Sequence, residues 1–283
     1  MLVDVDDIDI SKDGLYIKHP EKYDDKIDFL NQYFAFHYNG NTVKHQIERK
    51  HQIDSLSDAD MAVISNILPP ELYELDECDD LEYAKKRIID CHNKPYGDKK
   101  VIMPFVSFVN YDKNGRSFKT TSEKISLSGK FNGEIVAKYN DDDVLRLGSG
   151  YDFITDTKYI YSIPLSYQMA NGKKMIINRN PLEATEIGNG RWKPQIKHSQ
   201  DSITLSWFPL YLENVTIYPA IIAKMIADEI KLPAENILFN IIKLNLHALV
   251  PAALKLKDST NPYARYLGAL AQRQLETISG LRR

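Results

Sequence analysis

The stretch from Asp141 to Asp156, DDDVLRLGSGYDFITD, decides the fold, because its two ends ask for different structures. From the left, Val144 to Asp152 reads as a strand running into a glycine-rich turn, Gly148-Ser149-Gly150, of the kind that cradles phosphate or a nucleoside. From the right, Tyr151 stands at a tight turn ahead of Phe153-Ile154-Thr155. A glycine turn binds such ligands where a helix follows, since the free amides of the first helical turn do the binding. Here FITDTKYIYSIP follows and reads as strand. The expectation is a flexible approach to a turn that presents Tyr151.

On either side the chain is β-rich. VIMPFVSFVN (Val101–Asn110) is a nearly continuous apolar run of strand length, followed by the turn YDKNG. Further strand candidates are KISLSGKF, EIVAKY and YIYSIPLSYQM, the last joined through ANGKK to MIINRN. Near the start, LVDVDDIDI and GLYIKH flank the turn-like SKDG and predict a small hairpin within the first 36 residues. Residues 38–80 are polar, with a short helix after Ser57 and a stop at Pro69-Pro70, and read as an insertion or lid rather than core. DLEYAKKRIIDCHNKPYG then predicts a helix, with Asp80 as its cap, Leu81, Ala84 and Ile88 as its apolar stripe, and NKPYG as its stop.

Past Pro181 the pattern changes. A loop at GNGRWKP and the strand-like SITLSWFPL lead into IYPAIIAKMIADEIKL, with Ile217, Ile221, Ile222, Met225, Ile226 and Ile230 on one helical face. AENILFNIIKLNLHALVPAALKLK is apolar at helical spacing, and Asn261-Pro262 opens a third helix, NPYARYLGALAQRQLETISGL. The fold class expected is α+β: a β-rich domain over 1–180, with the insertion at about 38–80, and a helical domain over 181–283.

Composition narrows the function classes. The chain of 283 residues is 43% hydrophobic and 27% charged, ordinary globular values. No run of about 18 apolar residues is evident and the acidic N-terminus MLVDVDDIDIS is unlike a signal peptide, so a soluble cytoplasmic protein with no membrane partner is expected. A net charge of −3 gives no electrostatic case for nucleic acid. Lys, Ile, Asn and Asp are plentiful, as in AT-rich genomes, many viral ones among them. Cys78 and Cys91 have neither metal-ligand spacing nor a disulfide framework, and the histidines, among them His37, His45, His51, His92, His198 and His247, show no zinc motif. No G-x-S-x-G elbow and no Walker loop is present.

Two resemblances rest on short segments. VLRLGSGYD is similar to the first motif of Rossmann-type methyltransferases, with Arg146 where an acidic residue is usual and Asp152 where a further glycine is common. IIAKMIADEIKLPAENILFNIIKLNLHA is similar to a helix and strand of thymidylate synthases, but the P-C-H nucleophile and the phosphate-binding arginine of that family have no counterpart in SITLSW.

A third covers most of the first 165 residues. ISKDGLYIKH resembles the S-x-x-G-R-G-L-F-A segment of SET-domain lysine methyltransferases, the group related to the Rubisco large-subunit methyltransferase. DLEYAKKRIIDCHNKPYGDKKVIMPFVSFVNYDKNG resembles the region leading to P-x-x-D-x-x-N-H, with Asn110 on the asparagine; GEIVAKYN resembles G-E-E-I-F-I-S-Y-G, with Tyr139 on the tyrosine; VLRLGSGYDFITDTKYIYSIPL resembles L-L-x-x-Y-G-F-V, with Tyr151 on the tyrosine. The resemblance implies a pseudoknotted SET-like domain of short strands followed by a helical substrate-docking domain. It implies S-adenosylmethionine held by Asp13, Gly14, Leu15, Asn110 and Tyr111, catalytic roles for Tyr151 and Tyr139, and a partner protein that presents a lysine. Lys12 and Asp13 stand where the family has Gly-Arg, Tyr111 where it has histidine, and Asp152 where it has glycine. A SET-like module that kept the fold and lost the chemistry is the alternative these departures imply.

Overall fold

The computed structural model describes residues 2–70, 73, 77–96, 98–104, 106, 109–120, 125–129, 133–139, 142–179, 194–213 and 218–280. It is a mixed α and β structure, 49% helical and 22% strand, with short strands in small sheets. The first elements are β1 (Val3–Asp4), β2 (Ile8–Ser11), β3 (Gly14–Ile17), α1 (Ile27–His37), α2 (Gly40–Asp54), α3 (Asp58–Ile64), α4 (Asp80–His92), β4 (Asn93–Tyr96) and β5 (Lys99–Ile102). Next come β6 (Asn110–Ser117), β7 (Lys119–Thr120), β8 (Ile125–Ser126), β9 (Val136–Lys138), α5 (Val144–Tyr151), β10 (Tyr159–Tyr161), β11 (Leu165–Gln168) and β12 (Lys174–Ile177). The last are β13 (Ile196–His198), β14 (Ser202–Leu205), β15 (Pro209–Leu212), α6 (Tyr218–Ile230), α7 (Ala234–Leu256) and α8 (Pro262–Gly280). Two compact units form, one of residues 1–55 and 75–140, the other of 56–74 and 141–283. Residues 142–179 fall in the same unit as the helices that follow them.

In the first unit, SKDG closes the β2–β3 hairpin, with Ile8 opposite Ile17 and Ser11 opposite Gly14. Gly14 has φ 142°, and a Cβ there would lie 2.3 Å from the Tyr38 carbonyl oxygen, so only glycine fits. Ile8, Leu15 and Ile17 enter one core with Leu30 and Phe34 of α1, Tyr38 just after it, Val43 of α2, and Ala84 and Ile88 of α4. The segment 38–80, expected as a lid, contributes to this core through α2. Asn39 caps α2, its Oδ1 accepting from the Asn41 and Thr42 amides at 3.0 and 3.3 Å. The helix buries Val43, Gln46, Arg49 and Ile53. The cap of α4 is Asp79, which accepts from the Glu82 amide at 2.9 Å; Asp80 instead meets His51 at 3.0 Å and Lys50 at 3.5 Å.

VIMPFVSFVN is not one strand: β5 ends at Ile102, ahead of Pro104, which lacks the N–H a ladder needs. Strand β6 pairs in parallel with β9, and both Tyr111 and Arg116 face Ala137. The YDKNG turn is therefore an excursion of 112–115 inside a strand, held by an Asn114 amide that donates to Asp112 at 2.6 Å.

In the second unit, ANGKK closes the β11–β12 hairpin as expected, with Leu165 opposite Ile177. Strand β14 adds in parallel to β12 and β13 pairs antiparallel with β14. Met175, Ile177, Ile203 and Leu205 are buried, the period-2 pattern of a sheet with one covered face. Ser57 caps α3, accepting from the Asp60 amide at 3.1 Å. Helices α6, α7 and α8 are those the sequence predicts, and Asn261 caps α8 by accepting from the Tyr263 and Ala264 amides at 2.9 and 3.1 Å. The buried stripe of α6 is Ile222, Ile226 and Ile230; Ile221 and Met225 are exposed. Ile217 and the GNGRWKP loop through Lys193 lie outside the described residues. Helix α7 is long and apolar enough, by length and composition, to cross a membrane, a run not expected from the sequence. Its Asn245 is fully buried and ties it to the β10–β11 segment, accepting from the Ile163 amide at 2.9 Å and donating to Ser162 Oγ at 2.9 Å.

Candidate functional site

Two corrections fall on the decisive stretch. VLRLGSGY is α5, not a strand, and Gly148 and Gly150 lie inside the helix rather than ahead of one. No helix N-terminus follows them, since the next element is β10, so the cradle that a Rossmann-type glycine turn needs does not form. Nor does Ala234–Leu256 supply the strand that the thymidylate-synthase resemblance requires; it is one helix, α7.

The helix forms because Asp143 starts it. One carboxylate oxygen accepts the Arg146 amide at 3.1 Å, satisfying a donor of the first turn. The other accepts the Tyr161 amide at 3.3 Å and Arg179 Nη1 at 2.9 Å. Asp143 is fully buried and the Arg179 side chain is 7% exposed. Burial pulls the Arg179 pKa down, but the Asp143 carboxylate more than offsets it and leaves it raised, so the guanidinium stays charged. Arg179 also lies over the Tyr161 ring, 5.7 Å from its centroid. This ion pair fixes where α5 begins.

The helix ends at Tyr151. Asp152 follows with φ 61° and ψ 33°, the left-handed region, and its amide donates to the Gly148 carbonyl at 2.9 Å. Such a cap is normally glycine, with asparagine and aspartate the usual substitutes. Tyr151 is half-buried, and its ring lies 6.2 Å from that of Phe153. Gly148 earns its place by contact: a Cβ there would sit 2.3 Å from Leu270, so α8 meets the backbone of α5 at that residue.

The other site residues expected from the sequence lie in the first unit. Tyr139 follows β9 and donates its hydroxyl to the Val109 carbonyl at 2.8 Å; burial pushes its pKa up. Tyr111 meets Tyr139 edge-on, 5.6 Å between ring centroids. Asn110 is exposed, and its side chain donates to Glu134. Pairing of β6 with β9 thus brings Asn110, Tyr111 and Tyr139 together. Asp13, Gly14 and Leu15 form a separate group at the hairpin turn: Asp13 is exposed, its amide donating to Ser11 Oγ at 3.2 Å. The Leu15 amide donates to Tyr38 at 2.9 Å and its side chain is buried.

Of the groups expected to hold S-adenosylmethionine, Asn110, Tyr111 and Tyr139 lie together, with the Asn110 amide given to Glu134 and the Tyr139 hydroxyl to Val109. At Gly14 and Leu15 the Tyr38 carbonyl lies over the glycine and takes the Leu15 N–H. Among the described residues, no group of three or more His, Cys, Asp and Glu could hold a metal ion. The residues missed by sequence are Asp143, Arg179 and Tyr266. Only Asp143 left a signal, as an acidic residue directly before an apolar run. Comparison with known protein families, curated proteins and solved structures gives no match.

Proposed function

We propose that the chain is an S-adenosylmethionine-dependent methyltransferase with a SET-like fold that acts on a protein lysine. The conformation at Tyr151-Asp152 supports this most: a tyrosine at a helix end is followed by a residue held left-handed, where the SET pattern has Tyr-Gly. Aspartate tolerates that region, so the substitution at 152 keeps the turn that aims the tyrosine.

When bound, the cofactor supplies a methyl group on a sulfonium for direct in-line transfer. The chain's part is positioning, which in favourable cases lowers a barrier by roughly 7–11 kcal/mol. Tyr151 orients the lysine amine through its hydroxyl and ring face, and apolar surroundings favour the neutral amine over the ammonium. The SET resemblance assigns the cofactor's amino-acid end to Asn110, in the first unit. Tyr139 acts as a wall, because its proton is already given to Val109.

The test is Tyr151→Phe, assayed for methyl transfer to lysine-bearing protein and for cofactor affinity. Transfer should fall while affinity holds; equal transfer removes Tyr151 from its role. A second reading, a SET-like binding module without catalysis, is favoured by one observation: the backbone of Gly14 and Leu15 is engaged with Tyr38. Absence of cofactor binding selects it.

A further inference from the structure

Tyr151 closes an eight-residue helix whose last turn is fastened to α8. The Tyr266 hydroxyl donates to the Gly148 carbonyl at 2.9 Å. That same oxygen accepts the Asp152 amide at 2.9 Å, the bond that holds the left-handed cap after Tyr151. Leu270, fully buried, fills the space over Gly148, and Gln274, also fully buried, accepts the Leu145 amide at 3.4 Å one turn earlier. Tyr266, Leu270 and Gln274 recur every four residues, so one face of α8 meets α5 along its length.

A left-handed L-residue is strained unless its neighbours hold it. The bond from the Asp152 amide is the local restraint, and its acceptor is pinned from α8 by a second donor. We propose that Tyr266 is a positioning residue for Tyr151: through the Gly148 carbonyl it fixes the direction in which α5 ends and therefore where the Tyr151 ring stands. Tyr266 touches no reacting atom. Its effect on rate rests on the methyltransferase reading; its effect on the Tyr151 ring does not.

The experiment replaces Tyr266 by phenylalanine in the full chain and places 3-fluorotyrosine at position 151 in parent and variant. With the hydroxyl gone, the fluorine resonance of residue 151 should shift and broaden, and exchange of the Asp152 amide should quicken about three- to tenfold, the range a neutral hydrogen bond supplies. Amides of α7 should be unchanged, which shows that the fold is intact. For methyl transfer, kcat should fall about three- to tenfold while the KM for S-adenosylmethionine is unchanged. A 4-aminophenylalanine at 266, which returns a donor, should restore both. An unshifted fluorine line with unchanged exchange overturns the proposal, as does a failure of the amino variant to restore them. A parent that binds no cofactor and transfers no methyl group defeats the reading of function, and the fluorine and exchange measurements then decide the positioning role alone.

Discussion

Replacing Asp143 by asparagine isolates the charge that anchors α5. Asparagine caps a helix about as well as aspartate, so the bond from the Arg146 amide is kept. What is lost is the partner of Arg179, whose side chain is 7% exposed beside a fully buried carboxylate. Breaking a buried pair from one side costs about 3–5 kcal/mol, because a charge is left in the interior uncompensated. The Asp142 carboxylate also acts on Arg179 and softens the loss, so the lower end, about 3 kcal/mol, is expected. Trp207 belongs to the second unit, so urea unfolding followed by its fluorescence, in a Trp192→Phe background, reads that unit. The midpoint should fall with the slope unchanged. Adding Arg179→Met removes both charges, and the double variant should recover at least about 1 kcal/mol of the summed single losses. A loss under about 1 kcal/mol for Asp143→Asn, or strict additivity, would refute the assignment of this pair as the anchor.

Other outcomes follow from single contacts. Gly148→Ala places a methyl group against Leu270 and should destabilise the second unit by about 1–3 kcal/mol in the same urea assay. Tyr167→Phe should be neutral or stabilising by up to about 1 kcal/mol, since among the described residues the buried Tyr167 hydroxyl has no hydrogen-bond partner; burial pushes its pKa to about 12, so it should ionise late in an ultraviolet titration. Asn245→Ala leaves the buried Ile163 amide without its acceptor and should cost about 1–3 kcal/mol by tryptophan-monitored unfolding. The Asp7 carboxylate is held below its ordinary value of 3.8, first by Lys22 and then by the Tyr23 hydroxyl, against the opposing effect of burial. A depressed carboxylate stabilises the fold above that ordinary value and loses the contribution as pH falls through the folded pKa. Exchange protection of the β2–β3 amides should therefore decline below about pH 4, and Asp7→Asn should flatten that decline.

Legibility in the sequence followed the strength of the local signal. The first hairpin has a turn tetrapeptide between apolar runs, and α4, α6, α7 and α8 have long periodic faces, so pattern alone places them. Helix α2 was hidden because two of its four buried positions are Gln46 and Arg49, which break the apolar period. Helix α5 was hidden by its two glycines and its Val144, all poor helix formers in a segment of eight residues. Tertiary contact decides there: Asp143 with Arg179 at one end, and Leu270 and Tyr266 against Gly148 at the other. Neither Arg179 nor Tyr266 is near the helix in sequence, so no window of residues could have disclosed them. Asn110 opens β6 and Tyr139 directly follows β9, but the parallel pairing that brings these segments together was not legible in the sequence.

The measurement that bears most directly on function is a calorimetric titration of S-adenosylhomocysteine into the full chain, with Asn110→Ala beside it. Saturable one-site heat with a Kd in the micromolar range, weakened about tenfold or more by the substitution, is the predicted result. No heat at about millimolar ligand, where a free energy of roughly −4 kcal/mol would still be detected, would contradict the methyltransferase proposal.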